Sequence, residues 1–320
     1  MKKIKPMTNQ EEITVSTETF CQPDIDLSVW QALTQNQYSH NSLLSFQNDW
    51  RTFVNHCIAN RLCPLPADVT TVRDFAELTA KERKVSSVRR YTVTISLVHR
   101  CHSYKDPARH REVKFLMNRL LQEKSDQAGQ ATPFHLGHLE ALTEKLEKSD
   151  RLKDIRDLLI WTLSFEGMLK RSELAALPFD AISTSTVPYL LNVGETPIEL
   201  SNHASLMIDR WFEISGITDG PLLRRINKHQ QLGEKPMDHS SIYRVFRRAA
   251  DELGMGQQLT FSGQSPRVGA SQDLAEAGMS IKEIQHQGRW KSPAMPAQYV
   301  GNTQARDEAM AKYKRKLEKE

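Results

Sequence analysis

The segment between residues 261 and 302 contains side chains suited to metal-free chemistry on a phosphodiester. Such chemistry needs a nucleophile, donors that stabilise the negatively charged phosphorane, and an acid for the leaving 5′ oxygen. Arg267 suits the second task, because its planar guanidinium grips two phosphate oxygens and stays charged. Tyr299, nine residues after Trp290, suits the first, because a phosphotyrosine conserves the energy of the broken bond. The segment therefore indicates phosphodiester cleavage and religation without ATP.

The order of these residues resembles the catalytic core of the tyrosine recombinases. The family's second box is His-x-x-Arg, a helix, a capped second helix, a Trp or His, and a Tyr nine residues on. Residues 264–267, Trp290 and Tyr299 match it. The first box, Arg-x-x-Glu-Leu, is matched within residues 149–182, and the bundle from Tyr38 to Leu121 resembles the family's core-binding domain.

The resemblance implies a role for each matching residue. Tyr299 would attack the scissile phosphate, and Arg267 would hold one of its non-bridging oxygens. Trp290 would donate its indole N–H to the phosphate, and Glu173 would brace the site from behind.

Three positions depart from the family pattern. Glu173 fixes the register of the first box and puts Lys170 where the family has arginine, and the box histidine is Gln264. On a helix, the neighbouring Arg171 would point about 100° away from that position. Losing one phosphate donor typically slows such a reaction about 100- to 1000-fold. The family's general acid is a lysine on a hairpin, and its loss adds a factor of about 100 to 10,000.

No lysine lies between Arg171 and Arg224, so the hairpin cannot supply that acid. The departures predict very slow cleavage or a substitute residue. The candidates for substitution are Arg171, Arg224, Arg225 and Lys228.

The elements that must position these residues form a mainly α protein with two domains. We expect a mobile N-terminal tail over residues 1–27, because these are polar and show no sustained period. A helical core-binding (SAM-like) bundle follows over 28–122, and the polar, small residues of 123–133 predict a linker. Residues 134–320 form a mainly helical catalytic domain with a small β-hairpin, and a C-terminal oligomerisation helix is expected at about 303–318.

Local patterns place the elements of the second domain. Apolar runs on either side of Gly194 predict a β-hairpin over 186–200. Apolar periodicity predicts helices over 136–146, 150–169, 202–214 and 239–253.

Three serines are expected to begin the last helices. Ser265 and Ser292 each precede a proline as N-caps, and Ser280 opens a capping box. With Ser292 as the N-cap, Pro296 would be the fourth helical residue and would remove about one hydrogen bond.

The resemblance to the family implies that two sets of polar side chains contact DNA. In the first domain, Arg89 and Arg90 lie opposite the apolar face of their helix, and Ser45 lies on another helix that would face a groove. Arginine reading guanine is the commonest specific contact in the major groove. In the second domain the helix that corresponds to the family's groove-reading helix carries Ser240, Tyr243, Arg244, Arg247 and Arg248.

Composition bounds the class of protein without identifying it. A 320-residue chain with 39% hydrophobic and 26% charged residues suits about two globular domains, and a net charge of +4 permits nucleic-acid binding. The four cysteines lack zinc spacing and suggest buried thiols of a reducing compartment. We therefore expect a cytoplasmic protein without metal or cofactor, and no apolar run approaches membrane-spanning length.

The sequence favours a site-specific recombinase whose partners are double-stranded DNA and further copies of itself. By resemblance to the family, two copies would bind one site and four would form the synaptic complex. Two alternatives stay open. The chain could recognise DNA and assemble without chemistry, or it could relax DNA without strand exchange.

Overall fold

The computed structural model describes residues 4–123, 130–256 and 259–301. It is mainly helical with small antiparallel sheets, which confirms the predicted fold class. The chain divides into two compact units between residues 129 and 130, a point within the segment predicted as a linker. The helix expected at about 303–318 lies outside the described residues.

The N-terminal unit is a bundle of helices. A short 3-10 turn, Pro107–Arg109, precedes its last helix. The helices are α1 (Gln10–Phe20), α2 (Leu27–Leu33), α3 (His40–Ala59), α4 (Val69–Glu82), α5 (Val85–Cys101) and α6 (Arg111–Glu123).

Helix α1 corrects the expectation of a mobile tail over residues 1–27. Phe20 is fully buried, with its ring centroid 5.0 Å from that of Trp30, and its backbone carbonyl accepts a 2.9 Å hydrogen bond from the indole of Trp50. Ile13 and Phe20, the apolar residues that α1 buries, stand seven positions apart among polar residues. That spacing is too sparse to produce a visible helical period, although each residue finds a place in the core.

The C-terminal unit carries the remaining elements. Its helices are α7 (Leu136–Leu146), α8 (Leu152–Glu166), α9 (Arg171–Ala176), α10 (Asn202–Ser215), α11 (His239–Glu252), α12 (Ser265–Glu276), α13 (Ile281–Gln287) and α14 (Ala294–Val300). Its strands are β1 (Ile182–Ser183), β2 (Leu190–Leu191), β3 (Ile198–Glu199), β4 (Arg224–Ile226) and β5 (Leu232–Pro236).

The predicted hairpin over 186–200 is present as β2 and β3. They pair antiparallel with Leu191 opposite Ile198, and β1 extends the sheet on the other side of β2. Strands β4 and β5 form a second, separate antiparallel pair.

Helix α8 is the centre of the C-terminal core, and its middle residues Leu158, Leu159 and Trp161 are fully buried. It is shorter at both ends than the predicted helix over 150–169. The chain leaves the helix at Gly167, and Met168 has a φ of 45°, in the left-handed region that cannot continue an α-helix. This break turns the chain toward α9 and exposes backbone carbonyls that the functional site uses.

The last helices begin slightly differently from the prediction. Ser280 opens a capping box as expected, with its N–H donating to Glu283 Oε2 at 2.8 Å. Ser265, however, is the first residue of α12, and its hydroxyl accepts from the Ser262 N–H at 2.8 Å. Helix α14 begins one residue later than expected, so Pro296 is its third residue, where a backbone N–H has no partner within the helix. The proline therefore removes no helical hydrogen bond.

None of the helices within the described residues combines the length and apolar character that a membrane crossing requires.

Replacing Phe20 with alanine tests whether α1 belongs to the folded core. We expect Phe20→Ala to lower the free energy of unfolding by about 3–5 kcal/mol, the usual cost of a large buried cavity. Val15→Ala on the same helix is the matched control, because Val15 is 61% exposed. Urea denaturation measures both variants. Equal stabilities would contradict a structural role for α1.

Candidate functional site

Arg267, near the start of α12, is the most buried charged group of the candidate site, at 2% exposure. Its Nη2 donates to the Gly288 carbonyl at 2.9 Å, its Nη1 donates to the Met168 carbonyl, and its guanidinium carbon lies 4.2 Å from the centre of the Trp290 ring. Burial, with a smaller contribution from the charge of Arg289, lowers the pKa of Arg267 to about 10. The group is therefore a fixed cation at neutral pH.

Trp290 lies between α13 and α14 and forms one wall of the site. A Cβ at Gly288 would lie 1.8 Å from the Trp290 ring, so only glycine allows the ring this position. The indole is packed face-on to Arg267 and edge-on to Tyr299, with 5.8 Å between the two ring centroids. The residue thus contacts both the cation and the nucleophile candidate.

Tyr299 lies in α14 and is 8% exposed. Its hydroxyl donates to Gln264 Oε1 at 3.3 Å, and its backbone carbonyl accepts from Gln272 at 2.9 Å and Gln130 at 3.1 Å. Burial raises the pKa of Tyr299, and the charge of Arg267 opposes this rise. At neutral pH the phenol is protonated and must lose its proton when it attacks.

Lys170 corrects the expectation that the first-box residue lies within a helix. It is the N-cap of α9, its N–H donates to Glu173 Oε2 at 2.7 Å, and its half-exposed ammonium lies 3.0 Å from Glu173 Oε1. Burial would raise the pKa of Glu173, but hydrogen bonds from Lys170 and the charge of Arg289 lower it overall. Glu173 is therefore an ionised carboxylate that ties the start of α9 to the site.

Arg289 is the residue that sequence reasoning missed. Its Nη2 lies 3.0 Å from Glu173 Oε2, and its Nη1 donates to the Gly167 carbonyl at 2.9 Å. Its Nη2 also reaches the Met168 carbonyl at 3.3 Å, the same carbonyl that Arg267 uses. Its only signal in the sequence is an arginine next to the tryptophan of the motif.

The expected site residues are thus assembled in one place. Tyr299, Gln264, Arg267 and Trp290 form one continuous set of contacts. Glu173 joins them through Arg289 and the backbone at Met168, whereas the half-exposed Lys170 side chain pairs with Glu173.

Two of the four substitute donors suggested by the sequence are engaged elsewhere. Arg224 donates to the Pro221 carbonyl at 3.1 Å and pairs with Asp219, and Arg225 pairs with Asp238 at 3.1 Å. Arg171 lies nearer to the site, because a Cβ on Gly263, next to Gln264, would lie 3.3 Å from the Arg171 Cβ. Its stem therefore lies beside the site.

Comparison with known proteins agrees with this geometry. The sequence profile of the phage integrase family matches residues 137–306, more than half of the chain. The chain belongs to the phage integrase family. The resemblance of the sequence to the tyrosine recombinases is thereby confirmed.

Two curated relatives match over most of their length. The chain is 27% identical over 304 residues to the recombinase cre of Escherichia phage P1, covering 87% of this chain and 88% of that protein. It is 22% identical to an integrase/recombinase xerD homolog of Selenomonas ruminantium, covering 81% of each.

Solved structures show the same fold. The Tn1549 transposon integrase in complex with transposon right-end DNA matches with a TM-score of 0.65 at 13% identity, covering 92% of this chain and 99% of that one. A lambda integrase dimer bound to a COC′ core site matches with a TM-score of 0.56 at 14% identity, covering 87% and 76%.

In this phage integrase family member, helix α11 presents an exposed polar face. Ser240, Tyr243, Arg244 and Arg247 recur at three- and four-residue steps and are all exposed, as the sequence predicted. Arg248 does not belong to this face. It pairs with Asp154 at 2.6 Å, with Asp157 at 2.8 Å and with Glu252 at 3.0 Å. This arginine neutralises buried carboxylates of α8 and holds α11 against the core.

The N-terminal unit presents Arg89 as an exposed arginine on α5. Arg90 is half-exposed and pairs at 2.8 Å with the buried Asp49, which also accepts from Thr94. Burial raises the pKa of Asp49, and Arg90 opposes that rise. Ser45 is half-buried and its hydroxyl donates to the Asn41 carbonyl. Arg89 is therefore the freer of the two arginines for a partner.

Arg247 and Arg248, neighbours on α11, provide a matched test of which arginine stabilises the fold and which lies on the exposed face. We expect Arg248→Met to lower the free energy of unfolding by about 3–5 kcal/mol, because it leaves buried carboxylates without a partner. Arg247→Met, on the exposed face, is expected to stay within about 0.5 kcal/mol of the wild type. Urea denaturation measures both. A stable Arg248→Met protein would disprove the structural role of Arg248.

Proposed function

We propose that this chain is a site-specific recombinase that cleaves and rejoins duplex DNA through a 3′-phosphotyrosine intermediate. The observation that carries the proposal is that the Tyr299 ring and the buried cation of Arg267 both contact the Trp290 ring. A buried arginine without a carboxylate partner within the described residues is a site for an anion, and the neighbouring phenol is a nucleophile for it.

In the proposed reaction the Tyr299 oxygen forms a bond to the scissile phosphorus, and the bond from phosphorus to the 5′ oxygen breaks. The phenol loses its proton and the leaving 5′ oxygen gains one. Attack of a 5′ hydroxyl on the phosphotyrosine reverses these steps and restores the phenol. The number of phosphodiester bonds is unchanged overall, so no energy source is required.

Arg267 stabilises the charge that accumulates on the phosphorane, and Trp290 holds it in place. Gln264 accepts a hydrogen bond from the phenol but cannot carry its proton, and the hairpin has no lysine to protonate the 5′ oxygen. Neither position therefore supplies a proton carrier, so we expect cleavage to be slower than in a site with a histidine and a lysine.

The two arginine-bearing faces supply the DNA contacts of this proposal. The exposed side chains of α11 and the Arg89 end of α5 are suited to phosphates and base edges, and such contacts make affinity fall steeply with salt. In keeping with the lambda integrase dimer on its core site, we propose that two copies bind one site and four form the synapse, in the cytoplasm.

Trapping the intermediate tests the proposed function. A duplex site, selected from genomic inverted repeats by binding to the purified protein, is nicked next to the scissile phosphate so that the freed fragment diffuses away. We expect the wild type to form a covalent protein–DNA adduct on a denaturing gel, with the nucleotide attached to Tyr299. Tyr299→Phe should bind the same DNA and form no adduct. An adduct that persists in Tyr299→Phe, or a wild type that binds without cleaving, would contradict the proposal.

Replacing Gln264 with histidine tests the missing proton carrier. We expect Gln264→His to accelerate cleavage by about 100-fold, because the imidazole can accept the phenol proton. Its rate should fall as the pH drops through about 6.5, since a protonated imidazole accepts no proton. Single-turnover cleavage measured across pH gives both results. Gln264→Met keeps the size without an acceptor and should show no gain, and an equal effect of both substitutions would refute the explanation.

A further inference from the structure

We propose that Arg289 is the second phosphate-binding guanidinium of this site and takes the place of the first-box arginine that the chain lacks. This inference rests on the proposed cleavage reaction and names a further residue for it.

The Arg289 guanidinium shares a backbone acceptor with Arg267, whereas the Lys170 ammonium contacts Glu173. The guanidiniums of Arg289 and Arg267 both donate to the Met168 carbonyl, so the two groups approach the same point from different elements. The Lys170 side chain is 49% exposed and its ammonium pairs with Glu173 Oε1. The Arg289 side chain is 19% exposed and pairs with Glu173 Oε2. Of the two cations that pair with Glu173, Arg289 is the more buried.

The charges of the site leave a cationic excess that suits a phosphate. Arg267, Arg289 and Lys170 surround the carboxylate of Glu173, which leaves two positive charges unbalanced. The charge of Arg289 lowers the pKa of Arg267, as expected for like charges held close together in a buried place. A phosphorane, which carries more negative charge than the diester, would relieve this repulsion most, and that differential stabilisation accelerates a reaction.

Arg289 is also held in a fixed orientation. Its φ of 54° lies in the left-handed region, which non-glycine residues rarely occupy. Its two Nη atoms donate to the carbonyls of Gly167 and Met168 and to Glu173. The hairpin turn covers its stem closely, since a Cβ on Gly194 would lie 3.1 Å from Arg289 Cδ. The Nε–H remains buried without a hydrogen-bond partner within the described residues, which leaves one donor available for a phosphate oxygen.

The test compares arginine and lysine variants on charged and uncharged scissile groups. The wild type, Arg289→Ala, Arg289→Lys and Lys170→Ala are assayed for covalent adduct on the nicked duplex. They are then assayed on the same duplex with a methylphosphonate at the scissile position, where a methyl group replaces one charged oxygen. DNA binding and thermal melting of each variant establish that it is folded.

We expect Arg289→Ala to slow cleavage of the phosphodiester by about 100-fold or more, the usual cost of losing one donor to a developing charge. Arg289→Lys should recover part of this loss, because lysine keeps the positive charge but lacks the planar guanidinium that binds two oxygens at once. Lys170→Ala should lose less than Arg289→Ala, because the half-exposed Lys170 ammonium pairs, within the described residues, with Glu173 alone. On the methylphosphonate, Arg289→Ala should approach the wild-type rate, because the charge that Arg289 stabilises is gone.

Three results would overturn the inference. A larger loss in Lys170→Ala than in Arg289→Ala would assign the second cation to Lys170. An equal defect of Arg289→Ala on both substrates would show that Arg289 only supports the fold of the site. If the wild type forms no adduct while binding the DNA, the proposed function itself fails, and the inference fails with it.

Discussion

The burial of the Arg267 guanidinium is the constraint on which the candidate site depends. A cation that is 2% exposed must find acceptors for its N–H groups, and here these are backbone carbonyls freed where α8 ends and where α13 ends. The left-handed residue Met168 and the absence of a side chain at Gly288 are the local consequences. The Trp290 ring packs against one face of the guanidinium, and α14 places Tyr299 against the same indole.

The rest of the C-terminal unit holds these two loop regions at fixed positions. Helix α8 is buried along its length, and its carboxylates Asp154 and Asp157 are neutralised by Arg248 from α11. An arginine that resembles a DNA contact in the sequence thus fixes the helix that carries the proposed DNA contacts. Glu173 performs a similar task at the site, since it joins the start of α9 to Arg289. Arginine–carboxylate pairs of the same type thus occur in the core, at Arg248, and in the candidate site, at Arg289.

Much of this arrangement could be predicted from the sequence, because the motif around Tyr299 and the helical periods are local signals. Ser280, the hairpin and the exposed face of α11 follow from short-range patterns of the same kind. Helix α1 was missed because its buried residues are too far apart to show a period. The α8 carboxylates that Arg248 binds and the carboxylate of Glu173 that Arg289 binds lie more than 90 and 110 positions away, and no local pattern reveals such pairs. Family motifs also draw attention away from an arginine that stands next to a motif position.

The central claim is that the Arg267 pocket holds the scissile phosphate next to Tyr299. The most direct measurement is a crystal structure of Tyr299→Phe bound to an intact duplex site, which stops the reaction before cleavage. We predict one phosphate with its non-bridging oxygens within about 3.2 Å of donors on Arg267 and Arg289. The phenyl ring that replaces the phenol should then point at the phosphorus, opposite the 5′ oxygen. A complex in which every phosphate lies outside this pocket, with the guanidiniums still bound to the backbone carbonyls alone, would contradict the account.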